Sequence, residues 1–322
     1  MSNFEYHKPQ TVKEAIGLME SLENAKYIAG GTDVMVLIRQ GKLAPANLVS
    51  LRNITELNGI DIQNGVKMGA GATHTEIANN GFIRKRYSAL ADAAGNVGSK
   101  QIRNVATVGG NICNAAPSAD TACPLLVFDA KVVIAGKSGS REVPIDDFFL
   151  GPNKAALGPG ELVTGVVMPA FGENTGSAYI KHARRHAMDL PILGIAARVT
   201  VKVGGSEAGC RDAFGTSDMS QIIRGLEKEK VAFEDVRIAM SVVAPRPVRA
   251  KKAEEALKGK IISEKLFEEV GEIAASESQP RDSIRGEAWY RREMVKVLTR
   301  RALLRSINRI VGPETTDPDR LW

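Results

Sequence analysis

The stretch Lys26-Tyr27-Ile28-Ala29-Gly30-Gly31-Thr32-Asp33-Val34 carries a short β-type run into two glycines and then into an apolar helical segment. Glycines there leave backbone N–H groups uncovered by any Cβ, and a helix start adds unsatisfied amides of its own. The combination suits a phosphate or pyrophosphate, with the Thr32 hydroxyl as a further donor. A second glycine pair stands in Ala106-Thr107-Val108-Gly109-Gly110-Asn111-Ile112, which continues as Cys113-Asn114-Ala115-Ala116-Pro117-Ser118-Ala119-Asp120. Thr107 and Asn111 offer hydrogen bonds beside it, and Asp120 can accept from ribose or ribityl hydroxyls. Either pair alone reads as a tight turn. Two of them, about eighty residues apart in separate α/β units, predict a ligand with an extended phosphate-bearing body.

Other chemistries are disfavoured. Gly69-Ala70-Gly71-Ala72-Thr73-His74 opens like G-x-G-x-x-G but places His74 where the last glycine belongs, and a Walker A lysine motif is missing, so a standard NAD domain is not predicted. Cys113, Cys123 and Cys210 make neither a CxxC pair nor the four thiolates of an iron–sulfur cluster, and read as buried small hydrophobes. His182 and His186 stand four apart, yet their segment reads as strand and contains no HExxH pattern. His7 and His74 are isolated. No metal site and no catalytic triad is predicted.

These residues must be positioned by a chain that changes texture twice. Thr11-Val12-Lys13-Glu14 has capping-box form, and Val12, Ala15, Ile16, Met19 and Leu22 follow at helical spacing. With strands at Lys26–Ala29 and Asn47–Leu51 and a helix at Val34–Gln40, residues 1–57 form a first α/β unit. Residues 58–172 form a second, with strands at Val66–Gly69, Lys131–Ala135 and Leu162–Met168, a capping box at Thr73–Glu76, and a long loop at Gly95–Asp120. Beyond Pro169, residues 177–311 read as a smaller α+β domain, with strands at Ala178–His182, Ile195–Val203 and Val236–Val243. Helices are expected at Lys251–Leu257 and Glu264–Ala274. The stretch 211–235 is a polar insertion. Gly286–Val311 is amphipathic, with Met294, Val297, Leu298, Leu304, Ile307 and Val311 on one face, and 312–322 is a tail.

The chain has 322 residues, 43% hydrophobic and 25% charged, with a net charge of +6. Residues 281–309 hold nine basic side chains against three acidic ones, so this segment alone matches the net charge. With only 5% aromatics the basic run does not read as a nucleic-acid surface. It predicts a solvated helix face packed on the second domain, or a dock for an acidic partner through Arg300, Arg301 and Arg305. No apolar stretch approaches a membrane span and the start lacks signal-peptide layout, so a cytoplasmic protein is expected.

The ordered pair "AGGTD" at 29–33 and "ATVGGNICNAAPSAD" at 106–120 closely resembles the FAD-binding medium subunits of the xanthine dehydrogenase family, including carbon monoxide and nicotinate dehydrogenase flavoproteins. The resemblance extends over Phe4, Tyr6, Pro9 and Glu14-Ala15, the Phe149–Lys154 loop, and Glu161-Leu162-Val163. It continues through Tyr179-x-Lys181-x-x-x-Arg185 and Ala244-Pro245-x-Pro247-x-Arg249-Ala250. It implies an α+β, two-subdomain FAD-binding PCMH-type fold of the vanillyl-alcohol-oxidase/MurB-like kind, followed by a CO-dehydrogenase-flavoprotein-like C-terminal domain. It implies that residues 26–34 and 107–111, with Ala106, hold the FAD pyrophosphate, and that Asp120 contacts the cofactor's polar arm. Val163 is then expected by the isoalloxazine ring, Lys181 near its polar edge and Lys154 facing it. Val97 stands where some relatives have an aromatic, so stacking is lost there. The 211–235 segment is longer than usual. The cysteine-bearing insertion of the related 4-hydroxybenzoyl-CoA reductases is missing.

By resemblance the chain is an oxidoreductase subunit that carries electrons and does not turn over the organic substrate by itself. Molybdopterin is expected in a large partner subunit and 2Fe–2S clusters in a small one, in a dimer of heterotrimers. The competing reading is a stand-alone flavin oxidase or reductase, which would need a substrate domain that residues 177–311 look too small to supply.

Overall fold

The computed structural model of the chain describes residues 3–202 and 219–311; Cys210, the first part of the 211–235 stretch and the 312–322 tail lie outside them. The first unit is a parallel sheet of β1 (Glu5–His7), β2 (Ala25–Ile28) and β3 (Asn47–Ser50) in the order β1-β3-β2. Two helices accompany it, α1 (Val12–Ser21) and α2 (Val34–Arg39). β1, only three residues long, has too short an alternation to be read from sequence. Thr11 caps α1 by accepting from the Glu14 amide at 3.1 Å. The reciprocal bond comes one residue early, because the Glu14 carboxylate accepts from the Gln10 amide. α1 buries Ala15 and Ile16 against Val49, Ile54 and Leu57.

Gly17 lies mid-helix in α1, and a Cβ there would meet nothing within 4 Å. Gly17→Ala is therefore expected to stabilise the protein by about 0.5–1 kcal/mol through lost unfolded-state entropy, read as a higher Tm. An unchanged or lower Tm would contradict an open, regular α1.

The second unit begins with β4 (Ile60–Asp61) and β5 (Val66–Gly69), then α3 (His74–Asn79), α4 (Gly81–Arg86), α5 (Ser88–Asn96), α6 (Lys100–Arg103), α7 (Val108–Asn114) and α8 (Ala122–Val127). It closes with β6 (Lys131–Gly136), β7 (Gly139–Pro144), α9 (Ile145–Phe148), the hairpin β8 (Phe149–Gly151) and β9 (Lys154–Ala155), and β10 (Leu162–Met168). Its five-stranded antiparallel sheet runs β4-β5-β10-β6-β7. The expected Gly95–Asp120 loop is corrected: it contains α6 and α7. Each is short but side-chain capped, α6 by Ser99 and α7 by Thr107. α5 has alanines and Leu90 buried around it, so no one-sided stripe marked it as a helix.

The third unit is an antiparallel sheet of β11 (Thr175–His182), β12 (Leu193–Lys202), β13 (Ala232–Ser241) and β14 (Val248–Arg249). Its helices are α10 (Met219–Lys228), α11 (Lys251–Leu257), α12 (Glu264–Glu277) and α13 (Ala288–Val311). Within the expected polar insertion, α10 buries Ile222, Ile223 and Leu226, and residues 232–235 already belong to β13.

β12 shows why this sheet is buried on both sides. Leu193, Ile195, Ala197, Val199 and Val201 join the core that contains α12 and α13, whereas Ala196 joins the core of the second unit. Arg198, 3% exposed, reaches back across the junction. Its Nε donates to the Val127 carbonyl at 2.7 Å, its Nη2 pairs with Asp129 and Asp235, and its guanidinium lies over the Phe171 ring. The basic segment is also corrected. In α13 Arg291 and Arg305 are buried, and Arg309 grips Asp92 of α5 through both Nη atoms at 2.7 and 2.9 Å. Arg300 does face solvent. Val297, expected on the apolar face, is exposed, and Val295 is buried instead.

Candidate functional site

β2 delivers the first glycine pair to the edge of the second unit. A Cβ on Gly30 would collide with the Val105 carbonyl oxygen and lie 2.6 Å from its carbon, so the two glycine loops touch backbone to backbone at this point. Gly31 turns the chain with φ +73°, a left-handed value that glycine adopts without strain. The amides of Gly30, Gly31, Thr32 and Asp33 donate to no protein acceptor among the described residues. Asp33 occupies the N-cap position of α2 without making a cap bond, so its carboxylate leaves these amides uncovered. A row of N–H groups without protein acceptors, on a backbone fixed from behind, can serve as a cradle for an anion, held by the loop itself because α2 has only six residues.

The second loop is built differently. Thr107 N-caps α7, with its hydroxyl accepting from Gly110 N at 3.1 Å. Val108 N and Gly109 N donate to the carbonyls of Ala72 and Ala70, both at 2.9 Å, and Asn111 N donates to Thr107 O. These amides are therefore satisfied inside the protein. Gly109 is required for a close approach to Ala70, whose Cβ would be 2.6 Å from one placed on Gly109. Asn111 Oδ1 accepts from Thr121 Oγ1 at 2.6 Å. What this loop leaves open is the exposed, side-chain-free surface of Gly110. The Gly69–His74 segment, which resembles a broken dinucleotide fingerprint in sequence, is the bed on which the second loop rests. A bridge between Thr73 and Thr107 and a complete Thr73–Glu76 capping box fix it there. The capping box was visible in the sequence; its pairing with the second loop was not.

The loop after α7 ends at Asp120, which is buried and brought against β11. Tyr179 Oη donates to Asp120 Oδ1 at 2.8 Å, and Lys181 Nζ to Oδ2 at 2.9 Å. Lys181 Nζ also donates to the Asn96 carbonyl at 3.0 Å, at the end of α5. Burial raises the Asp120 carboxyl above the usual range, opposed by the Lys181 charge and by the hydrogen bonds from Lys181 and Tyr179. In the sequence Tyr179 stands only as part of a motif, because its contact with Asp120 spans 59 residues.

The remaining candidates are spread around these two centres. Val34 packs in the small core with Ile28. Lys26 is exposed on β2, close enough to α7 for its charge to be felt at Cys113. Tyr27 Oη donates to Gly160 O at 3.0 Å, tying the first loop to the approach of β10. Val97, half-buried after α5, accepts through its carbonyl from Arg103 Nη1. Val163 is buried at a β-bulge in β10, and Lys154 is exposed on β9. Burial pushes the Cys113 and Cys123 thiols up to about 12, the direction expected of inert packing residues. His182 shares a hydrogen bond with Tyr290 Oη at 2.9 Å, while His186 is exposed. No described helix is long and apolar enough to cross a membrane.

Two α/β units meeting at an anion cradle, with a smaller α+β domain closed against them, define an FAD-binding oxidoreductase component. Residues 2–171 match the family described as "FAD binding domain in molybdopterin dehydrogenase", and residues 178–306 match "CO dehydrogenase flavoprotein C-terminal domain". The chain belongs to this family of FAD-binding subunits. It is 32% identical over 305 residues to the xanthine dehydrogenase FAD-binding subunit of Escherichia coli O157:H7, covering 94% of this chain and 95% of that one. It is 29% identical over 303 residues to the carbon monoxide dehydrogenase medium chain of Hydrogenophaga pseudoflava, covering 93% and 96%. A solved carbon monoxide dehydrogenase structure from the same organism superposes with a TM-score of 0.83 at 29% identity, covering 96% of this chain and 98% of that one. The residues present are compatible with FAD: the Gly30–Asp33 amides have no acceptor among the described residues and could donate to a pyrophosphate, and Gly30 has no room for a side chain.

Proposed function

We propose that this chain is the medium component of a complex with a molybdopterin-binding large subunit and a 2Fe–2S small subunit, assembled as a dimer of heterotrimers in the cytoplasm. In this reading it takes electrons from the small subunit's clusters and passes them to an external acceptor. FAD, when bound, supplies the electron-carrying chemistry. The observation that carries the reading is the row of uncovered amides at Gly30–Asp33, held against Val105.

The chain's own residues divide the work. Gly30, Gly31, Thr32 and Asp33 would hold the pyrophosphate through backbone N–H groups, and Gly110 would leave room for the cofactor beside α7. Asp120 and Lys181 hold the polar region between the second and third units. Lys181 has a third N–H beyond those given to Asp120 and Asn96, free to favour negative charge on a ligand placed there. Val163 and Val97 supply apolar walls, and Lys154 stands at the rim.

The absorption spectrum of the purified protein tests this reading, recorded alone and after co-expression with the genes of its genomic neighbours. Flavin bands are expected in the isolated chain, joined by iron–sulfur absorption in the complex. A colourless protein in both preparations, unchanged by added FAD, would refute it. Turnover of an organic substrate by the isolated chain would overturn the assignment as an electron-transfer component.

A further inference from the structure

A cleft of about 470 Å³ opens among α3, α4, α5 and α6. Arg84, Lys100 and Arg103 line it, with Thr75, Asn79 and Asn96. We propose that this cleft binds a small phosphate-bearing anion, held by Arg84, Lys100 and Arg103.

Among the described residues nothing compensates the charge in the cleft. Asp92 is its acidic lining residue, and both carboxylate oxygens are taken by Arg309, with the Tyr179 amide as a further donor. None of the three lining cations makes an ion pair among the described residues. Arg103 uses Nη1 on the Val97 carbonyl at 3.1 Å, and Arg84 and Lys100 are exposed. The neighbouring His74 is fully buried, both its ring nitrogens lack partners, and burial together with the Arg103 charge pushes its pKa down to about 4.

The size lies within the range of small-molecule sites, and the lining contains no aromatic ring on which a base could stack. Recognition therefore falls on the phosphate end of a ligand, which guanidinium forks grip in two-point fashion. The cleft is separate from the FAD cradle, since none of Gly30–Val34 or Ala106–Asn111 lines it. It is nonetheless connected to the second centre: Asn96 lines the cleft with its residue and accepts from Lys181 with its carbonyl.

Isothermal titration of the FAD-loaded protein with inorganic pyrophosphate, and separately with ADP, tests the proposal against sodium chloride at equal ionic strength. Saturable binding of pyrophosphate is expected. Arg84→Glu and Lys100→Glu should each weaken it by about tenfold or more while leaving the melting temperature and flavin absorption unchanged. Tighter binding of ADP than of pyrophosphate would identify a nucleotide as the source of the phosphate; equal binding would identify the free anion. No saturable heat, or binding that both variants leave intact, overturns the site. Failure of the flavin reading shows separately, as a preparation that stays colourless with added FAD, and the same titrations and variants are then scored on that protein.

Discussion

Gly30→Ala is expected to weaken FAD retention by about ten- to a hundredfold, the equivalent of overpacking a tight contact by roughly 1–3 kcal/mol. The added methyl would enter the space of the Val105 carbonyl, which is backbone and cannot rotate away. The loop must then lift off the second unit, and the uncovered amides of Gly30–Asp33 lose their fixed direction. Gly31→Ala tests a different term, the strain of an L-residue at φ +73°, about 1–2 kcal/mol. Gly110→Ala adds a methyl near only the Thr107 hydroxyl, at 3.1 Å, on the face left open to the cofactor. FAD affinity measured by quenching of flavin fluorescence ranks the three. Wild-type affinity in Gly30→Ala would show that the contact with Val105 does not hold the cradle.

The second large effect concerns the buried ion pair. Lys181→Met leaves the Asp120 carboxylate without its charge partner, at side-chain exposures of 8% for the aspartate and 10% for the lysine. At neutral pH the expected loss of stability is about 3–5 kcal/mol, the usual consequence of stranding one member of a buried pair. The loss depends on pH in a definite direction. Burial already raises the folded carboxyl above its unfolded value, and removal of Lys181 raises it further. Between those two values the folded variant holds a proton that the unfolded chain has released. Its stability therefore rises as pH falls, by up to about 1.4 kcal/mol per pH unit, until the unfolded carboxyl near 4 is also protonated. Denaturant melts of wild type, Lys181→Met, Asp120→Asn and the double variant, taken from pH 7 downward, give both the coupling and its slope. A Lys181→Met deficit that stays constant with pH would mean that Asp120 is not the group left stranded.

The parts of the molecule that could be read from the sequence are those whose signals are local. β10 and α11 fall on the expected residues, because Leu162–Met168 is a short apolar run and Lys251–Leu257 a short helical repeat. α4 and α5 carry no such mark. Alanine packs equally on any face of α5, so the helix is specified by its surroundings rather than by a stripe. At the site, both glycine pairs stand out as types, but their different roles depend on what faces them. Val105 lies behind Gly30 and Ala70 behind Gly109, and neither neighbour follows from spacing. Asp120 and Lys181 are 61 residues apart, one in the loop between α7 and α8 and the other on β11, and only the packing of β11 on α5 and α8 brings them together.

The grip of Arg309 on Asp92 joins positions 217 residues apart, and α5 carries that grip directly to Asn96 and hence to Lys181. In equilibrium terms so distant a link adds little penalty, because the entropy of closing a loop grows only as the logarithm of its length, about 0.6 kcal/mol per doubling. Its weight falls on time. Contacts of this separation raise the mean sequence distance between touching residues, which slows the search for the native state. The tie between α5 and α13 is thus a feature whose cost lies in the rate of folding rather than in the stability of the folded protein.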